Sequence, residues 1–201
     1  HVATPLYQNA NVTMRSKGDY HRIDLVQAAD DAIPATVYKR LASKDVYDSA
    51  YTNWGEDGHS DPARDHYRAA WRKMAANTGE RTLITALIPP VAAHIEGVRS
   101  LSVEPLERLL ETEGFMTALV SDLLVRSSPK GNIVPSIVSR LPIVTDHPLL
   151  PYLRLRVLRL NALTRAYADL WNETWEDGFA GDQWAGGRPR ENRPQLAPTM
   201  E

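Results

Sequence analysis

The sequence predicts an α+β fold, in which a small mixed or antiparallel sheet is packed with helices and the domain ends in one long C-terminal helix. Apolar residues form short β-like runs before Pro105 and follow helical spacing after it. The 201 residues, of which 43% are hydrophobic, suffice for one domain with a core. Gly and Pro accumulate near the C-terminus. We therefore expect one domain over residues 1–177 and a tail or linker over residues 178–201.

The N-terminal part is predicted to be irregular with short strands over residues 1–60, and the regular strands and helices are expected over residues 61–177. Residues 67–75 support two interpretations. Local propensity favours a helix capped by Asp61, whereas alternation would place Tyr67, Ala69 and Trp71 on one face of a strand. Further strands are predicted over 81–88 and 98–103, each of which is a β-like apolar run.

Helices are predicted from Pro105 onward, with Gly114 as the break between the first two. Residues 133–144 are expected to be extended. Asp146 is expected to cap the long C-terminal helix, with Pro148 near its start. The apolar stripe of that helix comprises Leu153, Val157, Leu160, Leu163, Tyr167, Leu170 and Trp171.

The charges are distributed unevenly. The net charge of −2 argues against indiscriminate binding to nucleic acid, but residues 124–165 carry seven basic side chains against Asp146 alone, an excess of +6. Arginine predominates in this segment, and its planar guanidinium group can donate two hydrogen bonds at once to a phosphate or a base edge. If the segment neutralised about six phosphates, log K would fall with log salt at a slope of roughly −5.

Several other classes of protein are disfavoured. The chain has no cysteine, which excludes disulfides and cysteine-ligated metals. No stretch approaches the ~20 unbroken apolar residues of a membrane helix, so we expect a soluble, cytoplasmic chain without membrane contact. The chain starts at His1 without an initiator methionine or a signal segment, which favours a piece of a longer protein.

No catalytic motif is present, and no catalytic or metal-binding residue is assigned. The most metal-like cluster comprises His59, Asp61, Asp65 and His66. Its spacing matches no known set of metal ligands, which favours an ordinary polar loop. His94 follows an apolar run and is expected to be a partly buried structural histidine. His147 is expected at a helix start.

An ordered set of motifs indicates the function more specifically than the composition does. It begins with Tyr67-x3-Trp71-Arg72-x-Met74 and Glu80-Arg-Thr-Leu-Ile-Thr-Ala-Leu-Ile-Pro-Pro90. Ser127-Ser-Pro-Lys-Gly-Asn-Ile133, Ser139-Arg-Leu-Pro142, Arg159-Leu-Asn161 and Tyr167-Ala-Asp-Leu-Trp171 follow. Together these motifs resemble the target-recognition region of the large adenine-specific DNA methyltransferases of type IIG restriction–modification systems and of related phage-defence systems. The resemblance spans residues 67–176.

This resemblance implies a strand at residues 67–75, double-stranded DNA as a partner, and a catalytic methyltransferase domain elsewhere in the parent chain. The family's Asn-Pro-Pro-Tyr motif and its Gly-rich loop for S-adenosylmethionine are absent here. S-adenosylmethionine is therefore expected as a cofactor of the parent and not of this chain. Our first choices for DNA contact are Arg126, Lys130, Asn132 and Arg140, and our second choices are Arg68, Arg72 and Arg99.

Two other functions stay open. The Leu-rich stripe of residues 153–171 would also suit an interaction or scaffold module that docks on a partner, or on the parent's catalytic domain, without touching DNA. An exposed stripe would favour that function, and a buried one would disfavour it. A metal hydrolase that uses His59, Asp61, Asp65 and His66 is a third alternative.

Overall fold

A computed structural model describes residues 8–10, 20–22, 42–51, 61–75, 78–128, 131–182 and 196–200. Strands β1 (Gln8–Ala10) and β2 (Tyr20–Arg22) pair antiparallel. The main sheet contains β3 (Arg68–Arg72), β4 (Thr85–Ile88) and β5 (Val98–Leu101) in the order β4-β3-β5, and both pairings are antiparallel. Ala70 lies opposite Ala86 on one side and Ser100 on the other. The predicted α+β class with a small antiparallel sheet is confirmed.

Six helices are present in the described ranges, and helix α1 (Lys44–Ala50) precedes the main sheet. The others follow that sheet: α2 (Leu106–Thr117), α3 (Leu119–Arg126), α4 (Pro135–Val138), α5 (Leu150–Asn161) and α6 (Ala168–Glu173). None of the described helices is long and apolar enough to cross a membrane.

Residues 68–72 form the central strand, as the alternation and the resemblance predicted, and not the helix favoured by local propensity. Ala69 and Trp71 are buried on one face of β3. The indole N–H of Trp71 donates to the carbonyl oxygen of Ile133 at 2.9 Å. Tertiary burial of the alternating side chains therefore outweighs the helix propensity of the segment. Within residues 61–75, the predicted cap Asp61 is followed by a 3-10 turn over Ala63–Asp65 and not by an α-helix.

Side chains cover the outer edge of β4. The amide N–H of Leu87 donates to Asn161 Oδ1 at 2.9 Å, and the carbonyl oxygen of Leu87 accepts from the Tyr167 hydroxyl at 2.9 Å. An uncovered strand edge would invite pairing with another chain. This side-chain pair occupies the edge with partners from the C-terminal helices instead.

The position predicted for the break between the first two helices is wrong. Gly114 lies inside α2, and the helix ends at Thr117 because Ala118 takes up an extended conformation with ψ 147°. A Cβ atom at Gly114 would lie 2.7 Å from Leu153 Cδ1, closer than such atoms approach. Gly114 therefore allows α5 to pack directly on α2.

The single long C-terminal helix is also a wrong prediction. Helix α5 ends at Asn161, and a 3-10 turn over Arg165–Tyr167 leads into α6. The interruption brings Asn161 and Tyr167 together on Leu87, which an unbroken helix would not do because the two residues are six positions apart. Because of the interruption, the residues of the predicted apolar stripe do not all lie on one buried face. Val157 and Leu170 are buried, whereas Leu160 is 63% exposed.

Two local predictions between α3 and α5 also need correction. The stretch predicted to be extended over 133–144 contains the single turn α4, with Pro135 at its first position. Asp146 does not cap α5, which begins at Leu150 and has no side-chain cap. Instead, His147 Nδ1 accepts from the Leu149 amide N–H at 3.2 Å.

The described parts of the predicted tail contact the domain. Phe179 is buried, and the indole N–H of Trp171 donates to the carbonyl oxygen of Ala197 at 2.8 Å. The Met200 amide N–H donates to Asn172 Oδ1 at 3.0 Å. Residues 178–182 and 196–200 therefore pack on the C-terminal helices.

Candidate nucleic-acid interface

The segment 131–133 is joined to the end of β3 as a short antiparallel ribbon, which we call the β3 ribbon (residues 72–75 and 131–133). Met74 and Asn132 form an antiparallel bridge. The Ala75 N–H donates to the carbonyl oxygen of Gly131 at 3.0 Å, and the Ile133 N–H donates to that of Lys73 at 2.7 Å. The bridge fixes Asn132 opposite Met74, and both side chains are exposed.

Three cations lie around the β3 ribbon. Arg72 Nε donates to the carbonyl oxygen of Met74 at 3.1 Å, which leaves the outer guanidinium nitrogens free of partners among the described residues. Lys73 Nζ and Arg99 Nη2 share the Glu96 carboxylate, the latter at 3.4 Å. The hydrogen bond and charge of Lys73, with a smaller contribution from Arg99, lower the pKa of Glu96. The ribbon is thus surrounded by three positive charges and one negative charge, which leaves a local excess of positive charge.

The cations lie on both faces of the ribbon. Side chains alternate along a strand, so Arg72 and Met74 share one face and Lys73 lies on the other. Arg99 is the cross-strand partner of Trp71 and therefore lies on the same face as Lys73. Arg72 and Arg99 were predicted DNA contacts, whereas Lys73 was missed although it directly follows Arg72 in the sequence.

The first-choice residues fall in different environments. Arg126 holds the turn before β4: its Nε donates to Thr82 Oγ1 at 3.1 Å, and its Nη2 donates to the carbonyl oxygens of Gly79 and Glu80 at 2.7 and 3.0 Å. Arg140 is exposed and makes no side-chain hydrogen bond or ion pair with the part of the chain that the structure describes. Lys130 lies outside the described residues.

Arg68 is only 2% exposed. Its guanidinium donates to the carbonyl oxygen of Ala92 and, at 3.3 Å, to that of His66. Burial lowers the pKa of this guanidinium. Arg68 therefore joins β3 to the segment that precedes β5, and its side chain is closed to an external phosphate.

Much of the positive charge of residues 124–165 is compensated within the domain. Arg154 pairs with Glu111 at 3.2 Å and with Glu176 at 2.7 Å. Arg156 pairs with Asp182 at 2.9 Å, and Arg159 binds the same carboxylate. Three acids from outside the segment thus reduce its excess of +6 to about +3. The salt dependence expected from the sequence is reduced accordingly.

An open cleft of about 640 Å³ lies between the starts of α2 and α5. Two arginines line it, Arg108 and Arg154, and both bind Glu111 at 2.8 and 3.2 Å. The cleft also presents Glu107 and Asp146, so it offers no surplus of positive charge for a phosphate.

The histidines do not form a metal site in the described residues. No group of three or more His, Asp or Glu side chains that could hold a metal occurs there, and His59 of the predicted cluster lies outside them. His94 Nε2 is 2.8 Å from Ser100 Oγ, and its Nδ1 is 3.1 Å from the carbonyl oxygen of Ile95. Burial lowers the pKa of His94, which favours the neutral ring.

One apolar surface was not predicted. Helix α3 buries Ser121, Asp122 and Val125, and its outer face exposes Leu119, Val120, Leu123 and Leu124. The orientation follows from Asp122, whose Oδ1 accepts the amide N–H groups of Thr82 and Leu83, both at 2.7 Å. The leucine spacing of this helix therefore marks its exposed side.

No protein-family model matches the chain, and no curated protein or solved structure matches it significantly.

Proposed function

We propose that this chain is the DNA target-recognition fragment of a larger adenine-specific DNA methyltransferase from a restriction–modification or phage-defence system. In this proposal it positions duplex DNA for methylation by a catalytic domain that is not in this chain and that binds S-adenosylmethionine. One observation carries the proposal: two distant motifs of the resemblance, around Trp71-Arg72 and around Gly131-Asn132, are joined in the β3 ribbon and surrounded by cations.

The arrangement suits a duplex for an electrostatic reason. A groove of DNA is flanked by two phosphate backbones, and phosphate contacts fix the register of a protein while groove contacts read the sequence. Arg72, which shares a face with Met74 and Asn132, would meet a backbone beside the groove in which these two side chains reach the bases, and Lys73 and Arg99 on the opposite face would add to the positive field. The bound DNA and the chain would share a compartment, which we take to be the cytoplasm.

Duplex binding by the full chain should depend on salt with a slope of log K against log salt of roughly −3. Arg72, Lys73, Arg99 and Arg140 are the contributing cations, partly offset by Glu96, which leaves about three phosphates neutralised. Fluorescence anisotropy with a labelled duplex at several salt concentrations gives the slope. A slope near zero, or no binding at low salt, would contradict the proposal.

Paired variants locate the contact in the same experiment. Replacing both Arg72 and Arg140 with alanine should weaken binding and make the slope shallower by about two. Arg165→Ala is the matched control because Arg165 is exposed in the same basic segment, and its 3-10 turn lies against Leu87, toward the other end of β3. An equal effect of the two changes would indicate nonspecific attraction to the whole domain.

A second candidate function is docking on the parent's catalytic domain, and the exposed outer face of α3 favours it. The stripe of residues 153–171 gives this function divided support, because Val157 and Leu170 are buried in the domain whereas Leu160 and Leu163 are exposed. If docking were the sole function, the chain would bind no duplex, and the Arg72 and Arg140 changes would have no effect on its interactions.

A further inference from the structure

The bridge between Met74 and Asn132 places an apolar side chain and an amide side by side. Opposite residues of an antiparallel pair project from the same face, with Cβ atoms about 4.5–5.5 Å apart. Met74 is 63% exposed, and the Asn132 side chain has no hydrogen-bond partner within residues 61–75, 78–128 and 131–182. The pair is therefore available to a ligand that presents a hydrogen-bonding edge next to an apolar group.

The major-groove edge of an A·T base pair has this chemistry. Adenine presents the N7 acceptor and the N6 amino donor, which an asparagine amide matches with two hydrogen bonds, and thymine presents a methyl group beside them. The minor-groove edge lacks the methyl group, and a G·C pair offers no apolar group in the major groove. A two-stranded β-ribbon also has the width that the major groove admits.

We propose that the Met74–Asn132 pair reads an A·T base pair in the major groove, with Asn132 on adenine and Met74 against the thymine methyl. This inference rests on the proposed function and specifies which residues of the site read sequence. Backbone hydrogen bonds of Ala75 and Ile133 fix the main-chain positions from which the two side chains project, so the backbone of the ribbon needs little ordering on contact. Arg72, held by the Met74 carbonyl, is the adjacent phosphate anchor.

The test is selection of duplexes from a random-sequence pool by the full chain, followed by sequencing of the bound fraction. Wild type should enrich one A·T position that Asn132→Ala loses while the remaining positions are kept. In the selected duplex, 7-deazaadenine at that position should weaken wild type roughly tenfold and leave Asn132→Ala unchanged. Deoxyuridine in place of thymine should weaken wild type by a few-fold and leave Met74→Ala unchanged.

Ser136→Ala is the matched control, because Ser136 is exposed on the neighbouring turn α4. All three replaced side chains are exposed, so the variants should keep the circular dichroism spectrum and the melting temperature of wild type. Identical selected sequences for wild type, Asn132→Ala and Met74→Ala would overturn the inference while leaving DNA binding intact. Salt-dependent binding without any sequence preference would do the same. Absence of duplex binding by wild type would overturn both this inference and the proposed function.

Discussion

Replacing Asp122 with alanine should lower the free energy of unfolding by about 3 to 5 kcal/mol, because two buried backbone donors lose their acceptor and each such loss costs about 1–3 kcal/mol. Asp122 Oδ1 accepts from the amide N–H groups of Thr82 and Leu83, and all three residues are buried. Arg81 Nε lies 3.7 Å from the same oxygen and would lose its ion pair as well. Urea denaturation of both proteins at neutral pH measures the difference.

Ser121→Ala provides the control for this change. Ser121 is the buried neighbour on the same helix, and its hydroxyl donates a single hydrogen bond to the Phe115 carbonyl oxygen at 2.6 Å. We expect it to cost about 1 kcal/mol. Asp122→Asn keeps an acceptor oxygen and should fall between the two. If Asp122→Ala were no more destabilising than Ser121→Ala, the assigned role of Asp122 would be wrong.

Replacing Glu113 with glutamine should stabilise the domain at alkaline pH by about 2 to 4 kcal/mol. Glu113 is 1% exposed, and among the described residues only one of its carboxylate oxygens has a hydrogen-bond partner, accepting from Thr117 Oγ1 at 3.1 Å. Burial raises the pKa of Glu113 to about 8, against a smaller lowering by the Thr85 and Thr117 hydroxyls. Above that pH the wild type must hold a buried, uncompensated negative charge.

The sign of the pH dependence follows from the raised pKa. Glu113 binds its proton more tightly in the folded than in the unfolded chain, so its contribution to stability is greatest below the ordinary carboxyl pKa of about 4.5 and is lost as the pH rises to about 8. The difference between Glu113→Gln and wild type should therefore grow between pH 5 and pH 9.

Urea denaturation at several pH values, with Glu107→Gln as the control, gives this difference. Glu107 lies on the same helix but keeps partial contact with solvent, so its replacement should change stability little and evenly across the pH range. A difference between Glu113→Gln and wild type that does not vary with pH would contradict the burial of an ionisable Glu113.

The sheet was largely predictable because its signals are local. Trp71 and Ala69 alternate with Arg68 and Ala70, and the sequence resemblance pointed to the same strand. The start of β4 was placed four residues early, because the N–H groups of Thr82 and Leu83 bond to Asp122 and not to a neighbouring strand. A side chain forty positions away decides that boundary, and hydrophobic spacing carries no information about it.

The presence of helices after Pro105 was predictable from spacing, but the buried face of α3 and the end of α2 were not, because both depend on contacts that are distant in the sequence. The leucines of α3 have ordinary amphipathic spacing, yet they are exposed because the polar Ser121 and Asp122 are needed inside. Gly114 was predicted to be a helix break because glycine disfavours helix. In the structure its lack of a side chain allows Leu153 to approach α2 closely. Both outcomes depend on partners far away in the sequence.

The candidate interface was partly predictable from residue type. Arg72, Arg99 and Asn132 were among the predicted DNA contacts, and the bridge between Met74 and Asn132 brings the strand and the loop together. Arg68 and Arg126 had the same appearance in the sequence, but their guanidinium groups bond to backbone carbonyls of the domain. Composition does not distinguish an arginine that holds a turn from one that is open to a phosphate.

Hydrogen–deuterium exchange of the full chain with and without duplex DNA at low salt shows whether the β3 ribbon is the surface that contacts DNA. We expect slower exchange in peptides that cover residues 72–75 and 131–140, and unchanged exchange in α3 and α6. Protection confined to α3, or no protection anywhere at saturating duplex, would contradict that contact.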